Sequence, residues 1–311
     1  MLRWLLRGLG LLLVLAIGGI AATVRLDRPA AEVEARWARP PSKFVDVDGL
    51  RVHVRDRGKG PVVVLVHGSN SSLFTWEGWA RALETDHRVI TLDLPGHGLT
   101  GPHPRARYGP RDMADVVHGV VEALGVGRFS LAGNSMGGHV AIAYTLAHPE
   151  RVERLILIDA AGLPREEPLP FAFRLSGLPV VGRLVRWTTP RFMVTGSLRE
   201  VYGDPSKVTD ALVDQFLDLN LRAGNREATR LRFLTPPDDI AGRLGELRLP
   251  VLILWGGRDR WILPRYGERF RDAIAGSRLV VFDSLGHVPM EEDPAATVRV
   301  AREFLAQANG G

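Results

Sequence analysis

Beyond residue 42, short runs of apolar residues alternate with segments in which apolar residues recur every three or four positions. The apolar runs predict strands buried on both faces of a sheet, at 62–66, 88–92, 129–132, 155–158, 251–255 and 279–282. The helical patterns between and after them lie at 79–83, 112–124, 138–148 and 294–307. Such alternation is typical of an α/β fold with a mostly parallel sheet and helices on both faces. An Asp48-Gly49 turn between two further β-type runs, 44–47 and 50–57, predicts an antiparallel hairpin ahead of that sheet.

The alternation stops near residue 162 and resumes near residue 251. The intervening segment is rich in proline and contains helical patterns but no run typical of a central strand. We therefore predict an inserted helical cap at 163–240 and an α/β core made of 43–162 and 241–311. Three aromatic residues of the cap are predicted to line a substrate cavity, with packing of the cap on the core as the alternative for each: Trp187, Phe192 and Phe216.

The N-terminus has a basic leader, with Arg3 and Arg7, followed by an uncharged and mostly apolar stretch at 8–24. A helix of that length spans about 25 Å, close to the thickness of the hydrocarbon core of a bilayer. We predict that residues 1–28 form a membrane anchor, with a cleaved signal segment or a buried core helix as alternatives, and that residues 29–42 form a tether. The leader predicts a catalytic domain on the periplasmic side of a bacterial inner membrane, or a secreted one after cleavage.

The amino-acid composition of the chain limits the classes of function that it can have. The chain has 311 residues, a formal net charge of +5 and no cysteine. Its basic residues are scattered among almost as many acidic ones, which favours a small-molecule substrate over nucleic acid as the partner. The lack of cysteine excludes disulfides, thiolate nucleophiles and cysteine-ligated metals.

The most specific motif is Gly133-Asn134-Ser135-Met136-Gly137, between a predicted strand and a predicted helix. A serine at the apex of so tight a turn needs small residues two positions before and after it, because a Cβ there would collide with the neighbouring strand and helix. The turn exposes the serine hydroxyl at the carboxyl edge of the sheet. Ser135 is therefore the predicted nucleophile.

Two partners for this serine lie farther along the chain, each just beyond the carboxyl end of a predicted strand. They are Asp259 and His287, in the chain order acid then base that suits a strand–turn–helix nucleophile. We predict that His287 takes the proton of Ser135 and that Asp259 orients the imidazole. Asp159 also follows a predicted strand and is the alternative acid.

A tetrahedral intermediate needs two N–H donors for its oxyanion. The backbone N–H of Met136 is the first predicted donor, because it opens a helix just after the nucleophile. The second is the N–H of Ser69, in the loop after the first buried strand, with the side chain of Asn70 as an alternative. Asn70 is also predicted to contact the substrate. His67 is predicted to hold this loop in place.

From residue 43 onward these motifs resemble the α/β-hydrolase superfamily. Together with the apolar N-terminus, the segments 67–76 and 93–101 look like bacterial lipases and esterases of the Moraxella lipase type. The elbow at 133–138 also resembles that of meta-cleavage-product hydrolases, which break C–C bonds. Those enzymes usually have an arginine in the cap and a tryptophan after the histidine, whereas this chain lacks the arginine at 213–217 and has Val288 after its histidine.

Epoxide hydrolases and haloalkane dehalogenases are similar as well, but their nucleophile is an aspartate where this chain has Ser135. The residues and the resemblance therefore predict a serine esterase or lipase that forms an acyl-enzyme, needs no cofactor or metal, and acts on a lipophilic ester. The alternatives are C–C bond hydrolysis, perhydrolysis or amide cleavage on the same triad, and non-catalytic ligand binding on the same fold.

Overall fold

The computed structural model describes residues 23–167, 178, 187–236 and 238–307, together with Arg7 and Gly19. The strands are β1 Ser42–Val47, β2 Leu50–Arg57, β3 Val62–Val66, β4 Arg88–Leu92, β5 Phe129–Asn134, β6 Val152–Ile158, β7 Val251–Gly256 and β8 Arg278–Phe282. The α-helices are α1 Ala30–Trp37, α2 Glu77–Leu83, α3 Pro110–Ala123, α4 Met136–Ala147, α5 Arg191–Val201, α6 Asp210–Leu221, α7 Asn225–Leu234, α8 Arg265–Ala273, α9 Pro289–Glu292 and α10 Pro294–Leu305.

One eight-stranded sheet has the order β1-β2-β4-β3-β5-β6-β7-β8. β1 and β2 form an antiparallel hairpin, β2 also runs antiparallel to β4, and the remaining neighbours are parallel. This confirms the predicted α/β fold. β6 begins earlier than its apolar run because the polar residues Glu153 and Arg154 belong to the same strand.

The core lies on both faces of this sheet, because successive side chains of a strand point to opposite sides. Val64 and Val66 of β3 pack on the layer formed by α3, α4 and α8, whereas Val63 and Leu65 pack on the layer formed by α2 and α10. Both layers bury large apolar side chains. The parallel strands are therefore covered on both sides, and their carboxyl ends meet at one open edge.

The segment between β6 and β7 contains α5, α6 and α7, and the described part of it contains no sheet strand. α6 and α7 correspond to the predicted helical patterns. α5 was not predicted, because its residues include Thr195, Gly196 and Ser197, which are weak helix formers. Residues 168–177 and 179–186, which hold three of the prolines used to predict a cap, lie outside the described residues.

The predicted tether is in part a docked helix. Val33 of α1 is buried against Leu99 and against Leu219 of α6. The indole N–H of Trp37 also donates to the Asp218 carboxylate at 3.0 Å. The flanking prolines bound this helix instead of marking an irregular linker, since proline is tolerated before a first turn and after a last one.

The predicted membrane anchor comprises residues 1–28, and its apolar stretch at 8–24 lies almost wholly outside the described residues. Within the part of the chain that the structure describes, no helix is both long and apolar enough to cross a membrane.

The docking of α1 leads to a stability prediction. Val33→Ala removes two buried methyl groups, so the free energy of unfolding should fall by about 1.5 kcal/mol. The same change at the exposed Val24 is the matched control and should have a much smaller effect. Chemical denaturation of both variants measures the difference, and equal effects would show that α1 does not stay docked in solution.

Candidate active site

Ser135 lies at the apex of a sharp turn between β5 and α4, with φ of +54° and ψ of −119°. A non-glycine residue rarely adopts this left-handed region, so the turn is strained. A Cβ on Gly133 would lie 2.2 Å from the carbonyl oxygen of Gly137, and a Cβ on Gly137 would lie 2.3 Å from that of Val66. Only glycine fits at either position. The predicted elbow geometry is therefore present.

His287 and Asp259 are adjacent and buried at the same edge of the sheet. His287 Nδ1 donates to Asp259 Oδ2 at 2.7 Å. The other oxygen, Oδ1, accepts the backbone N–H groups of Trp261 at 2.7 Å and Ile262 at 3.0 Å. These bonds fix the carboxylate, and the carboxylate fixes the tautomer of the imidazole, so Nε2 is left to accept a proton.

Asn134 connects the nucleophile to the base. Its side-chain Nδ2 donates to the carbonyl of His287 at 3.0 Å and to that of Ile158 at 3.1 Å. The residue just before Ser135 therefore bonds directly to the backbone of the histidine. The sequence analysis gave this asparagine no role, because a single residue inside a motif carries no signal of its hydrogen-bond partners.

The loop that carries His287 is also tied to the cap. The N–H of His287 donates to the carbonyl of Val201, the last residue of α5, at 2.7 Å. Glu292 is buried beside it and accepts the N–H groups of Gly286 at 2.8 Å and of Gly203 at 2.9 Å. This glutamate was also missed, since a Glu-Glu pair at a helix end usually indicates a solvated surface.

Asp159 lies beside the triad acid but does not replace it. It is fully buried at the end of β6, and its Oδ1 accepts the N–H of Gly256 at 2.9 Å. Its Oδ2 has no N–H donor among the described residues. Burial, followed by repulsion from the Asp259 carboxylate, raises the pKa of Asp159 well above its usual range. Asp159 therefore keeps its proton to a higher pH than an ordinary aspartate, next to the residue that bonds to His287.

The same three side chains form the one group of possible metal ligands found in the described residues. The ligand atoms of Asp159, Asp259 and His287 lie within 4.8 Å of one another. His287 Nδ1 is already a hydrogen-bond donor to Asp259, however, and a protonated ring nitrogen cannot bind a cation. The geometry is that of an imidazole oriented by a carboxylate, and it does not favour a metal centre.

The predicted oxyanion loop, residues 67–71, follows β3 and lies against the elbow. A Cβ on Gly68 would lie 3.1 Å from the Cβ of Ser135. His67 Nδ1 donates to the carbonyl of Gly68 at 2.7 Å, while its Nε2 accepts the N–H of Leu94 at 3.0 Å. Burial lowers the pKa of His67, which keeps this neutral tautomer. The imidazole thus holds the loop in shape, as its predicted role requires.

The two predicted oxyanion donors lie at the start of α4 and in the loop after β3. Met136 is the first residue of α4, where backbone N–H groups have no intrahelical acceptor. Ser69 lies next to Gly68 in the oxyanion loop, and its hydroxyl accepts a hydrogen bond from Arg232 of α7. Asn70 has a φ of +57°, and its side-chain oxygen accepts from the Thr229 hydroxyl at 3.4 Å, so that side chain is already engaged with the cap.

The three aromatic cap residues have different positions. Phe216 lies one helical turn before Asn220, whose side chain bonds to the Phe216 carbonyl and reaches the carbonyl of Asn70 at 3.5 Å. Trp187 contacts the Arg226 guanidinium. Phe192 is 69% exposed on α5 and lines an open groove there with Arg191 and Arg199. Exposure depends on how a helix is rotated, and the apolar pattern of α5 was too weak to predict that.

Known proteins resemble this chain in sequence and in structure. Residues 63–300 match the Alpha/beta hydrolase family. The chain belongs to the α/β-hydrolase family. A 2-hydroxy-6-oxononadienedioate/2-hydroxy-6-oxononatrienedioate hydrolase of Klebsiella pneumoniae is 32% identical to this hydrolase over 282 residues, which cover 86% of this chain and 96% of that protein.

Two solved structures extend the comparison. A membrane phospholipase A, described as a bacterial virulence factor, is 30% identical, and the match covers 98% of both chains with a TM-score of 0.72. A variant of the meta-cleavage product hydrolase CumD is 26% identical, with a TM-score of 0.75 over 86% of this chain and 98% of that one. The resemblance to both groups of α/β-hydrolases is confirmed, and the hydrolase resembles enzymes of two different chemistries.

The two acids can be separated by matched substitutions. Asp259→Asn deprives His287 of its acceptor and should lower kcat by about 10³-fold or more. Asp159→Asn replaces a carboxyl of raised pKa with a neutral amide of the same shape and should change kcat by less than about tenfold. Steady-state kinetics on one chromogenic ester measures both. The reverse order of effects would make Asp159 the catalytic acid.

The raised pKa of Asp159 also predicts how stability depends on pH. In the unfolded chain this group loses its proton near its ordinary pKa of 3.8, whereas the native state keeps it. Above that pH, native stability should therefore fall by about 1.4 kcal/mol per pH unit until the raised native pKa is reached. Asp159→Asn removes this pH-dependent loss of stability. The melting temperature of the variant minus that of the wild type should therefore increase from pH 5 to pH 7.

Scanning calorimetry across that range measures the effect. Asp48→Asn, at an exposed turn, is the control and should show a constant difference from the wild type. A constant difference for Asp159→Asn as well would show that Asp159 is ionised in the native state.

Proposed function

We propose that this hydrolase cleaves lipophilic carboxylic esters through an acyl-enzyme. The observation that carries the proposal is the strained Ser135 at one edge of the sheet, together with the buried pair of His287 and Asp259 at that edge. An apolar cap segment and the predicted N-terminal anchor support a lipophilic substrate at a membrane surface, with the catalytic domain outside the cytoplasm. The likeness to a membrane phospholipase A over 98% of the chain supports the same proposal.

In the proposed reaction, Ser135 Oγ attacks the acyl carbonyl while His287 Nε2 takes the hydroxyl proton. The negative charge that develops on the carbonyl oxygen is stabilised by the N–H groups of Met136 and Ser69. The imidazolium then gives its proton to the departing alkoxide, so an alcohol leaves and an acyl-serine remains. Water, deprotonated by the same imidazole, releases the acid and restores Ser135.

A second candidate is hydrolysis of a C–C bond, supported by the curated relatives of 32% identity and by the CumD structure. The same serine and histidine would serve it. Two residues argue against it, because Val288 follows the histidine and Phe216 lies in the cap stretch that lacks an arginine. In meta-cleavage-product hydrolases these regions usually carry a tryptophan and an arginine, so we rank ester hydrolysis first.

The proposed function predicts serine-dependent turnover of simple esters. Ser135→Ala should lower kcat for p-nitrophenyl esters, from acetate to palmitate, by at least about 10³-fold without lowering the melting temperature. Ser197→Ala, at an exposed position of α5, is the matched control and should keep wild-type rates.

Hydrolysis of a C–C bond is tested with 2-hydroxy-6-oxononadienedioate on the same wild-type and variant proteins. A kcat/KM for this compound above that of every ester would make C–C hydrolysis the function. If no ester is turned over although an organophosphate labels Ser135, the ester proposal fails while the nucleophile stands.

A further inference from the structure

Arg232 is a positive charge at the oxyanion loop with no negative partner. It lies on α7, and its Nη2 donates to the hydroxyl of Ser69. Its Nε is buried and has no acceptor among the described residues. Every aspartate and glutamate of the chain lies within the part that the structure describes, and none of them is within ion-pair distance of Arg232.

Neighbouring arginines of the cap are neutralised. Arg226 pairs with Asp27 at 2.6 Å, and Arg230 pairs with Glu227 at 2.7 Å. A buried cation without a partner costs several kcal/mol, which proteins usually avoid by pairing it or by removing its proton. Arg232 therefore differs from Arg226 and Arg230 of the same helix, which both have acidic partners.

The charge persists at physiological pH. Burial lowers the pKa of Arg232 to about 10, so the guanidinium remains protonated near neutrality. His97 is also close, but burial, followed by the influence of His67 and Arg232, lowers its pKa well below the usual value. The imidazole is therefore neutral and does not compensate the charge. Among the described residues no group neutralises the guanidinium, which leaves an anion from outside the chain as its available partner.

Arg232 lies near the predicted nucleophile. Ser69 is one residue from Gly68, which lies directly against Ser135. Arg232 therefore bonds to the loop that lies against the predicted nucleophile. A planar guanidinium with unused N–H groups is suited to a carboxylate or a phosphodiester, which can accept two parallel hydrogen bonds.

We propose that Arg232 forms an anion subsite beside the oxyanion loop, and that the preferred substrate carries a carboxylate or a phosphodiester a few bonds from the carbonyl attacked by Ser135. This rests on the proposed role of Ser135 as the nucleophile. The proposed substrates are thereby narrowed from lipophilic esters in general to lipophilic esters that also carry an anionic group. Carboxylate and phosphodiester groups share the required chemistry, and matched substrates distinguish them.

The test compares two pairs of esters. Mono-p-nitrophenyl glutarate and p-nitrophenyl pentanoate differ by a carboxylate, and dihexanoyl phosphatidylglycerol and dihexanoylglycerol differ by a phosphodiester. The measured quantity is kcat/KM for the anionic ester divided by that for its neutral partner. Arg232→Gln should lower this ratio by about 30-fold for one pair, as expected for loss of a charge-assisted hydrogen bond. That pair identifies the anion.

Two further variants sharpen the comparison. Arg232→Lys keeps the charge and should retain most of the ratio, whereas Arg230→Gln removes a paired charge from the same helix and should leave the ratio unchanged. An equal loss on the anionic and neutral esters in Arg232→Gln would overturn the subsite and make Arg232 a support for the loop. If that variant does not fold, Arg232→Met keeps the length of the apolar stem and replaces it.

Protection of Ser135 gives a readout that does not need turnover. Glutarate or glycerophosphoglycerol should slow organophosphate labelling of Ser135, and Arg232→Gln should require about 30-fold more of the protecting anion. Equal protection of both proteins would refute the subsite. Labelling and protection without hydrolysis of any ester would reject the ester proposal and keep the subsite, so the two failures are distinguishable.

Discussion

The close contact between the elbow and β3 determines the position of the predicted nucleophile and of the predicted oxyanion donors. With no side chain at Gly137, the start of α4 approaches the carbonyl of Val66 at a distance that any Cβ would prevent. Because the oxyanion loop continues directly from β3, this one contact sets the separation of Ser135, the N–H of Met136 and that loop. The backbone strain at Ser135 is thus offset by packing between two central strands and a helix.

The base depends on a second set of contacts, which joins the core to the cap. The His287 loop follows an edge strand, β8, whose residues are partly exposed, so the strand alone does not hold it. The carbonyl of Val201 and the buried Glu292 supply the missing restraints from α5 and α9. The cap therefore also helps to hold the base, so a change in the cap alters the geometry around His287.

Sequence patterns predicted the sheet well because buried parallel strands are continuous apolar runs. Since Ser135, Asp259 and His287 each follow such a run, their position at one edge of the sheet was predictable too. The docking of α1 was missed, since a single buried residue, Val33, gives no periodic signal. Arg232 was also beyond prediction. A chain with this many arginines offers no local sign that one of them lacks a partner, because pairing is decided by residues far apart in sequence.

The predicted catalytic groups do not by themselves decide which bond is broken. A serine, a histidine and two N–H donors stabilise the same tetrahedral oxyanion whether an alkoxide or a carbanion leaves, which explains how similar chains include both a phospholipase and C–C hydrolases. The cap helices α6 and α7 reach the oxyanion loop through Asn220 and Arg232. There the chain has an apolar Phe216 and an unpaired Arg232, an arrangement that suits an amphiphile with an apolar acyl chain and an anionic group near its ester bond.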